Sequence, residues 1–297
     1  MGCFRRFLEY TFYLHIHLML KLKTLIVLLV CITFSSTTFS QEDTTVTKNR
    51  IWKQLAYDGK FTLQSIGNGF TQPLRWQKDD FITVSGIVAG TGILYLSDNE
   101  ARTFFQNQRD DVPQVLKEFG WYFGSPQNFF MITAGVYGFG LITDNEKVRH
   151  AGVLIIASAA TSGIIQSISK TVVGRARPMS GNRNDFKPFD GTAGYHSFPS
   201  GHAILSFSMA HAIAKQFDSF WVKAGIYTVG SIAPISRLWE DAHWLSDVGL
   251  GIAISIVVVD GVDNFMKNKN AYNYSKPKHI SWQLKAGYGT LGFVGTF

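Results

Sequence analysis

Six stretches of the chain are dense in apolar residues without a two-residue alternation: about 81–98, 127–143, 150–173, 203–217, 220–237 and 244–262. Runs of this length exceed a strand of roughly four to eight residues and predict helices. Several fall short of the about 20 residues that carry a helix across a bilayer, so tilt or snorkelling flanks must complete them if they span. The pattern predicts an all-α helical bundle with a six-segment polytopic membrane core. Ahead of it, residues 41–80 are polar with scattered aromatics. There KNRIWKQLAYDGKF has the spacing of an amphipathic helix, lying on a membrane or on the protein surface. Behind it, residues 264–297 form a basic tail in which ISWQLKAGY and TLGFVGTF read as two short strands around a Gly turn, a β-hairpin appendage. One hairpin cannot close a barrel, so the terminal Phe297 does not make this an outer-membrane strand.

Residues 1–40 read as an export signal or an uncleaved anchor. Lys21 and Lys23 precede the apolar run Leu25 to Phe34, and the small polar stretch SSTTFS follows. Both cysteines, Cys3 and Cys31, lie in this segment, which leaves the domain beyond it without disulfides or thiolate metal ligands. Hydrophobic residues make up 46% of the chain and charged residues 16%, a balance that favours a membrane-embedded protein. The net charge of +7 suits anionic lipid or a phosphorylated substrate. Nucleic acid is not an expected partner, because the aromatics sit in apolar runs rather than interleaved with a basic face.

Candidate chemistry lies in three separated stretches. In KTVVGRARP, Lys170 ends an apolar helix and Arg177 precedes Pro178, so both cations can converge on one phosphoryl group, Lys as a point charge and Arg through two parallel hydrogen bonds. Arg175 between them reads as an ordinary solvated or dipole-satisfying charge at a helix end. In SFPSGH, Ser200 and Gly201 open a helix and would present amides and a hydroxyl to an anion, with His202 beside them to protonate a leaving oxygen. In SRLWEDAHWLSD, His243 and Asp247 stand four residues apart, so on a helix the carboxylate could accept a ring N–H and leave the other nitrogen nucleophilic, while Arg237 adds a third cation. Each piece alone has a bland reading, but their joint occurrence in this order is distinctive.

The three stretches together resemble the type 2 phosphatidic acid phosphatase superfamily, which also contains bacterial acid phosphatases and vanadium-dependent haloperoxidases. Lys170, Arg177, Pro178, Pro199, Ser200, Gly201, His202, Ser236, Arg237, His243 and Asp247 all match the signature, and the likeness covers about residues 80–262. The resemblance implies a phosphatase domain over 81–263 and a metal-independent reaction through a phosphohistidine, with no cofactor. His243 would be the nucleophile, Asp247 would orient it, and His202 would be the acid and then the base. Lys170, Arg177, Ser200, Gly201 and Arg237 would hold phosphate. The substrate would be a lipid phosphomonoester or pyrophosphate in the membrane: phosphatidic acid, phosphatidylglycerol phosphate, undecaprenyl pyrophosphate or a lipid A phosphate. Alternatives are a soluble periplasmic acid phosphatase, a haloperoxidase or a non-catalytic phospholipid-binding protein; protein partners are not indicated.

Among neighbouring residues, Asp185 and Asp190 read as solvated, Tyr195 and His196 as lining the entrance, and Glu240 and Asp241 as facing away. Trp239 and Trp244 read as interface anchors, His211 as a satisfied core histidine. Alternating spans put all three stretches on one membrane face. Lys147, Arg149, Lys215, Lys223 and the five lysines after Asp263 fall on the other, so the positive-inside rule puts the site on the periplasmic face of a bacterial inner membrane. A cleaved signal followed by six spans would return it to the cytoplasm, so the span count and the charge bias conflict. The connection from Asp98 to about Ser125 reads as a slightly acidic outer loop.

Overall fold

A computed structural model describes residues 44–272 together with the strands at 281–287 and 290–296. The expected signal or anchor over 1–40 lies outside them. The chain divides into two compact units, residues 1–52 and 53–297, and the site and its supports belong to the second. The helices, in order, are α1 (Thr44–Thr71), α2 (Lys78–Leu96), α3 (Asp98–Gln108), α4 (Gln114–Gly124), α5 (Pro126–Ile142), α6 (Glu146–Val173), α7 (Gly201–Ala214), α8 (Phe220–Trp239) and α9 (Leu245–Asn268). Strands β1 (Ser281–Gly287) and β2 (Thr290–Thr296) pair antiparallel, with Ser281 opposite Thr296. The rest of the described chain is turns and loops, the longest of them residues 174–200 between α6 and α7.

Local chemistry sets several boundaries. Before α2, the Asp80 carboxylate accepts from the Gln77 amide at 2.8 Å and satisfies a donor the helix leaves open. The Asn145 side chain accepts from Val148 N at 3.1 Å to open α6. Gly174 closes α6 at φ 55°, and a Cβ there would lie 1.8 Å from the Lys187 carbonyl, so only glycine fits this turn into the loop that carries Arg177.

All six apolar stretches fall on helices, namely α2 and α5 through α9. Three of these, α2, α6 and α9, are long and apolar enough to cross a membrane. On α2, Phe81, Ile82, Val88, Ile93 and Leu96 are exposed and no residue is buried, so the helix is apolar all round without a protein partner on most faces. A helix of that kind belongs in lipid. The chain is a membrane protein.

The stretch expected as a loop between Asp98 and Ser125 instead holds α3 and α4. Both are short, 11 residues each; α3 is polar, and α4 packs through Gly120 and Gly124 and leaves Val115, Trp121 and Tyr122 exposed. The main core joins Phe129 of α5, Leu154 and Ile155 of α6, Met209 of α7 and Val259 and Met266 of α9. Below it, Asp58 on α1 is 2% exposed and takes an ion pair from Arg149 at 2.9 Å and hydrogen bonds from the Tyr137 and Tyr272 hydroxyls. From Asp58 onward, α1 is therefore tied into the bundle by a buried charge. From Arg149 to Lys170 along α6 is about 30 Å at 1.5 Å per residue, which places this charged knot and the candidate site at opposite ends.

Candidate active site

Helix alternation gathers the candidate residues at one end. Lys170 is in the last turn of α6, His202 in the first turn of α7, Arg237 in the last turn of α8, and Asp247 in the first turn of α9. A cavity of about 290 Å³ opens between them, lined by Lys170, Arg177, Gly201, His202, Arg237 and His243 of the expected set. Ser200 and Asp247 sit behind this lining. Trp121, Gly124, Pro126, Gln166, Leu205 and Ala242 complete the wall, and none of these was singled out from the sequence.

His243 is not on a helix. It precedes α9 in a turn where Asp241 takes φ 54°, and it is 5% exposed. Its Nδ1 lies 2.8 Å from the Ser197 carbonyl. A carbonyl can only accept, so Nδ1 carries the proton and Nε2 keeps its lone pair, facing Arg177 Nη1 at 3.4 Å in the cavity. The expected Asp247 partner stands 3.7 Å from Nδ1 and acts on the ring as a charge rather than as a hydrogen-bond acceptor. Helix spacing does not apply to this pair, because α9 starts at Leu245. Burial pulls the His243 imidazole down to about 4, against the raising influence of Asp247.

The Asp247 carboxylate is fully occupied elsewhere. Oδ1 accepts from Arg175 at 2.7 Å, and Oδ2 accepts from the Ser197 hydroxyl and from Trp244 N at 2.9 Å. Arg175 was expected to be a solvated charge and is instead 1% exposed; its guanidinium also reaches Asp98 at 2.6 Å. Nothing in the local sequence predicts this, because Asp98 lies 77 residues away. Trp244, expected at a membrane interface, is 2% exposed and donates to the Ala176 carbonyl at 2.8 Å.

The cations lining the cavity are held differently. Arg177 donates to the carbonyls of Ala193 at 3.0 Å and Ala242 at 2.9 Å, and burial lowers its pKa. Arg237, 2% exposed, bonds to the Ser236 hydroxyl at 3.2 and 3.1 Å and lies 4.9 Å from the Trp121 ring centre. Lys170 meets Gln166, whose carbonyl oxygen, in the amide orientation that satisfies its neighbours, accepts from Lys170 Nζ at 3.0 Å and Gly201 N at 3.3 Å. Among the described residues none of the three cations has a carboxylate ion-pair partner. One buried cation, Arg237, and two half-buried ones, Lys170 and Arg177, without a counter-ion make a site for an anion.

The entrance to α7 departs from the expected open helix end. Ser200 N bonds to the Asp247 carbonyl at 3.0 Å and Gly201 N to Gln166, so neither amide is free. The Ser200 hydroxyl and His202 Nε2 are the buried polar atoms left without a partner here. His202 lies 5.4 Å from the Trp121 ring centre and lines the cavity. Asp241 pairs with Arg102 and Glu240 with Arg109, so both acids turn away from the cavity. Tyr195 bonds to Asp185 and His196 to the Asp190 carbonyl; neither ring lines the cavity.

Residues 151–271 match the family model of the PAP2 superfamily. Over that stretch the chain is similar to a PAP2 superfamily domain. The stretch contains every residue expected at the site from the sequence, whereas Asp98, Trp121, Gly124 and Pro126 come from helices ahead of it. The chain is also similar to a lipid A 1-phosphatase of Porphyromonas gingivalis, at 32% identity over 165 residues, which covers 52% of this chain and 34% of that protein. The chain thus spans about a third of that relative's length. A lipid A 1-phosphatase of Rhizobium etli is 26% identical over 198 residues, covering 61% of this chain and 81% of the relative. Among solved structures, LpxE of Aquifex aeolicus aligns with a TM-score of 0.42 at 21% identity, over 55% of this chain and 93% of that one. A transmembrane PAP2 type phosphatidylglycerolphosphate phosphatase of Bacillus subtilis aligns at 0.46 and 19%, over 63% and 96%.

Proposed function

We propose that this chain is a metal-independent membrane phosphatase that cleaves a lipid phosphomonoester or pyrophosphate through a phosphohistidine. The observation that carries this reading is the set of three uncompensated cations, Lys170, Arg177 and Arg237, around the lone-pair nitrogen of His243. Phosphate enters that charge hole and its oxygens take the donors of the three cations and the free Ser200 hydroxyl. His243 Nε2 attacks phosphorus, the bond to the leaving oxygen breaks, and His202 Nε2 gives that oxygen its proton. His202 then takes a proton from water, the resulting hydroxide attacks phosphorus, and the P–N bond breaks to restore His243. Asp247 stabilises the positive ring of the intermediate through space.

Three relatives carry the name lipid A 1-phosphatase, which favours the 1-phosphate of lipid A among the candidate substrates. We assign the phosphatase domain to 81–263, a six-segment core to α2 and α5–α9, and the β1–β2 pair to an appendage. The lysines and arginines at the Arg149 end favour a bacterial inner membrane with the site facing the periplasm.

The test is phosphate release from lipid A 1-phosphate and from phosphatidic acid in detergent, with chelator present, comparing the wild type with His243→Ala. The variant is expected to lose at least about 10³-fold in kcat, and chelator to change nothing. Release that persists in the variant removes His243 from the mechanism, and abolition by chelator removes the metal-independent reading.

A further inference from the structure

Behind His243, Arg175 joins two carboxylates from different helices. Its Nη1 donates to Asp247 Oδ1 at 2.7 Å and to the Ser246 hydroxyl at 2.7 Å, and its Nη2 donates to Asp98 Oδ2 at 2.6 Å. Asp98, in the first turn of α3, also accepts from Ser246 N at 2.9 Å through Oδ1 and from the Ser246 hydroxyl at 2.7 Å. Arg175 is 1% exposed and both carboxylates are 0% exposed, so solvent screens none of these contacts. The rings of Tyr95 and Trp244 lie 4.8 and 5.3 Å from the guanidinium and enclose it.

We propose that Asp98 and Arg175 are positioning residues that fix both the place and the charge of Asp247 beside His243. This rests on the phosphohistidine reading above. A single buried carboxylate would have to move, protonate or find a partner. Here Arg175 grips Asp247 by one oxygen, and Asp98 grips both Arg175 and the amide and hydroxyl of Ser246 at the start of α9, so Asp247 cannot turn away. The charge count matters equally: two carboxylates and one guanidinium leave a net −1 next to His243 Nδ1, where the ring becomes cationic when Nε2 bonds to phosphorus. A bare Asp247–Arg175 pair would sum to zero there. Asp98 restores the negative charge that the reaction needs.

Other charged groups facing His243 are Arg177 from the loop after α6, Lys170 from α6, His202 from α7 and Arg237 from α8, all cationic or neutral. They are unchanged in the variants that follow, so differences between variants read the Asp98–Arg175 pair alone.

Asp98→Asn takes the net charge from −1 to 0, Arg175→Gln takes it to −2, and the double variant returns it to −1. Steady-state hydrolysis of dioctanoyl phosphatidic acid in detergent is measured from about pH 2.5 to 8, corrected for the ionisation of the substrate, with the folded fraction of each variant checked by its melting curve. The acid limb of kcat/KM is expected to move down by about half a pH unit in Asp98→Asn, up by about one unit in Arg175→Gln, and back to within a few tenths in the double variant. In Asp98→Asn, kcat per folded molecule is expected to fall about tenfold with KM within about twofold. Limbs that stay put, or move together in the two single variants, overturn the proposal, as does a loss confined to KM or to the folded fraction. If Arg175→Gln does not fold, Arg175→Lys takes its place: it keeps the charge, so its limb must stay put while kcat falls. A limb that moves in Arg175→Lys overturns the proposal. Full activity in His243→Ala would instead refute the underlying mechanism, so the two failures are distinguishable.

Discussion

At the scale of single residues, the basic side chains at the catalytic end are sorted by what neutralises them. Arg175 faces two carboxylates and is spent on structure, whereas Lys170, Arg177 and Arg237 face carbonyls, a hydroxyl, an amide and the Trp121 ring. None of those partners carries a formal charge, so they hold the cations in place without cancelling them. The same burial acts on His243. Its pKa is lowered from 6.5 to about 4, so the ring is neutral above about pH 4 and Nε2 keeps its lone pair. Activity governed by this group is present at neutral pH and is lost as pH falls through about 4, not through 6.5. The kcat/KM profile on a substrate whose own ionisation is corrected for should show that low acid limb. A limb near 6.5 would mean that His243 is solvated in the working enzyme.

At the scale of elements, α4 meets the site with backbone instead of side chains. A Cβ on Gly120 would lie 2.4 Å from Ser236, and one on Gly124 would lie 2.7 to 3.0 Å from three atoms of His202. The close approach brings Trp121 over Arg237 and beside His202, so α4 both roofs the cavity and sets the position of the proposed acid. Alanine normally stabilises a helix by about 1 kcal/mol over glycine. Gly124→Ala should nevertheless lower kcat by about tenfold to a hundredfold, because the methyl displaces the His202 ring. Phosphate release and circular dichroism of the same sample check this: helix content should hold while turnover drops. Unchanged turnover would show that His202 has room to move.

At the scale of the molecule, the two ends of the bundle differ in kind. One end presents the cavity with its unpaired cations; the other holds Asp58 with Arg149, and Asp263 with Lys215 and Lys267, all compensated. The loop between α6 and α7 belongs to the cavity end and carries Arg183, a site for trypsin; Lys187 precedes Pro188 and is not cut. With the proposed orientation, trypsin added to spheroplasts should cut this loop, and sealed inside-out vesicles should protect it. The opposite pattern would place the site in the cytoplasm. It would also make the span count, rather than the charge bias, the better guide to topology.

What the sequence determined by itself was the helical class, the six apolar helices and the residues of the charge hole. Apolar runs and motif order are local properties and need no partner to be read. Lys170, Arg177, Gly201, His202, Arg237 and His243 line one cavity, at helix ends and in the turns beside them. Tertiary structure alone decided the supports. Arg175 looked like a surface charge because its counter-ions Asp98 and Asp247 are 77 and 72 residues away. The partner of His243 Nδ1 is a backbone carbonyl at Ser197, and main-chain atoms leave no mark in a sequence. Helix α4 was hidden because it packs through Gly120 and Gly124, which register as buried only when another helix comes against them, and α3 because it is short and polar.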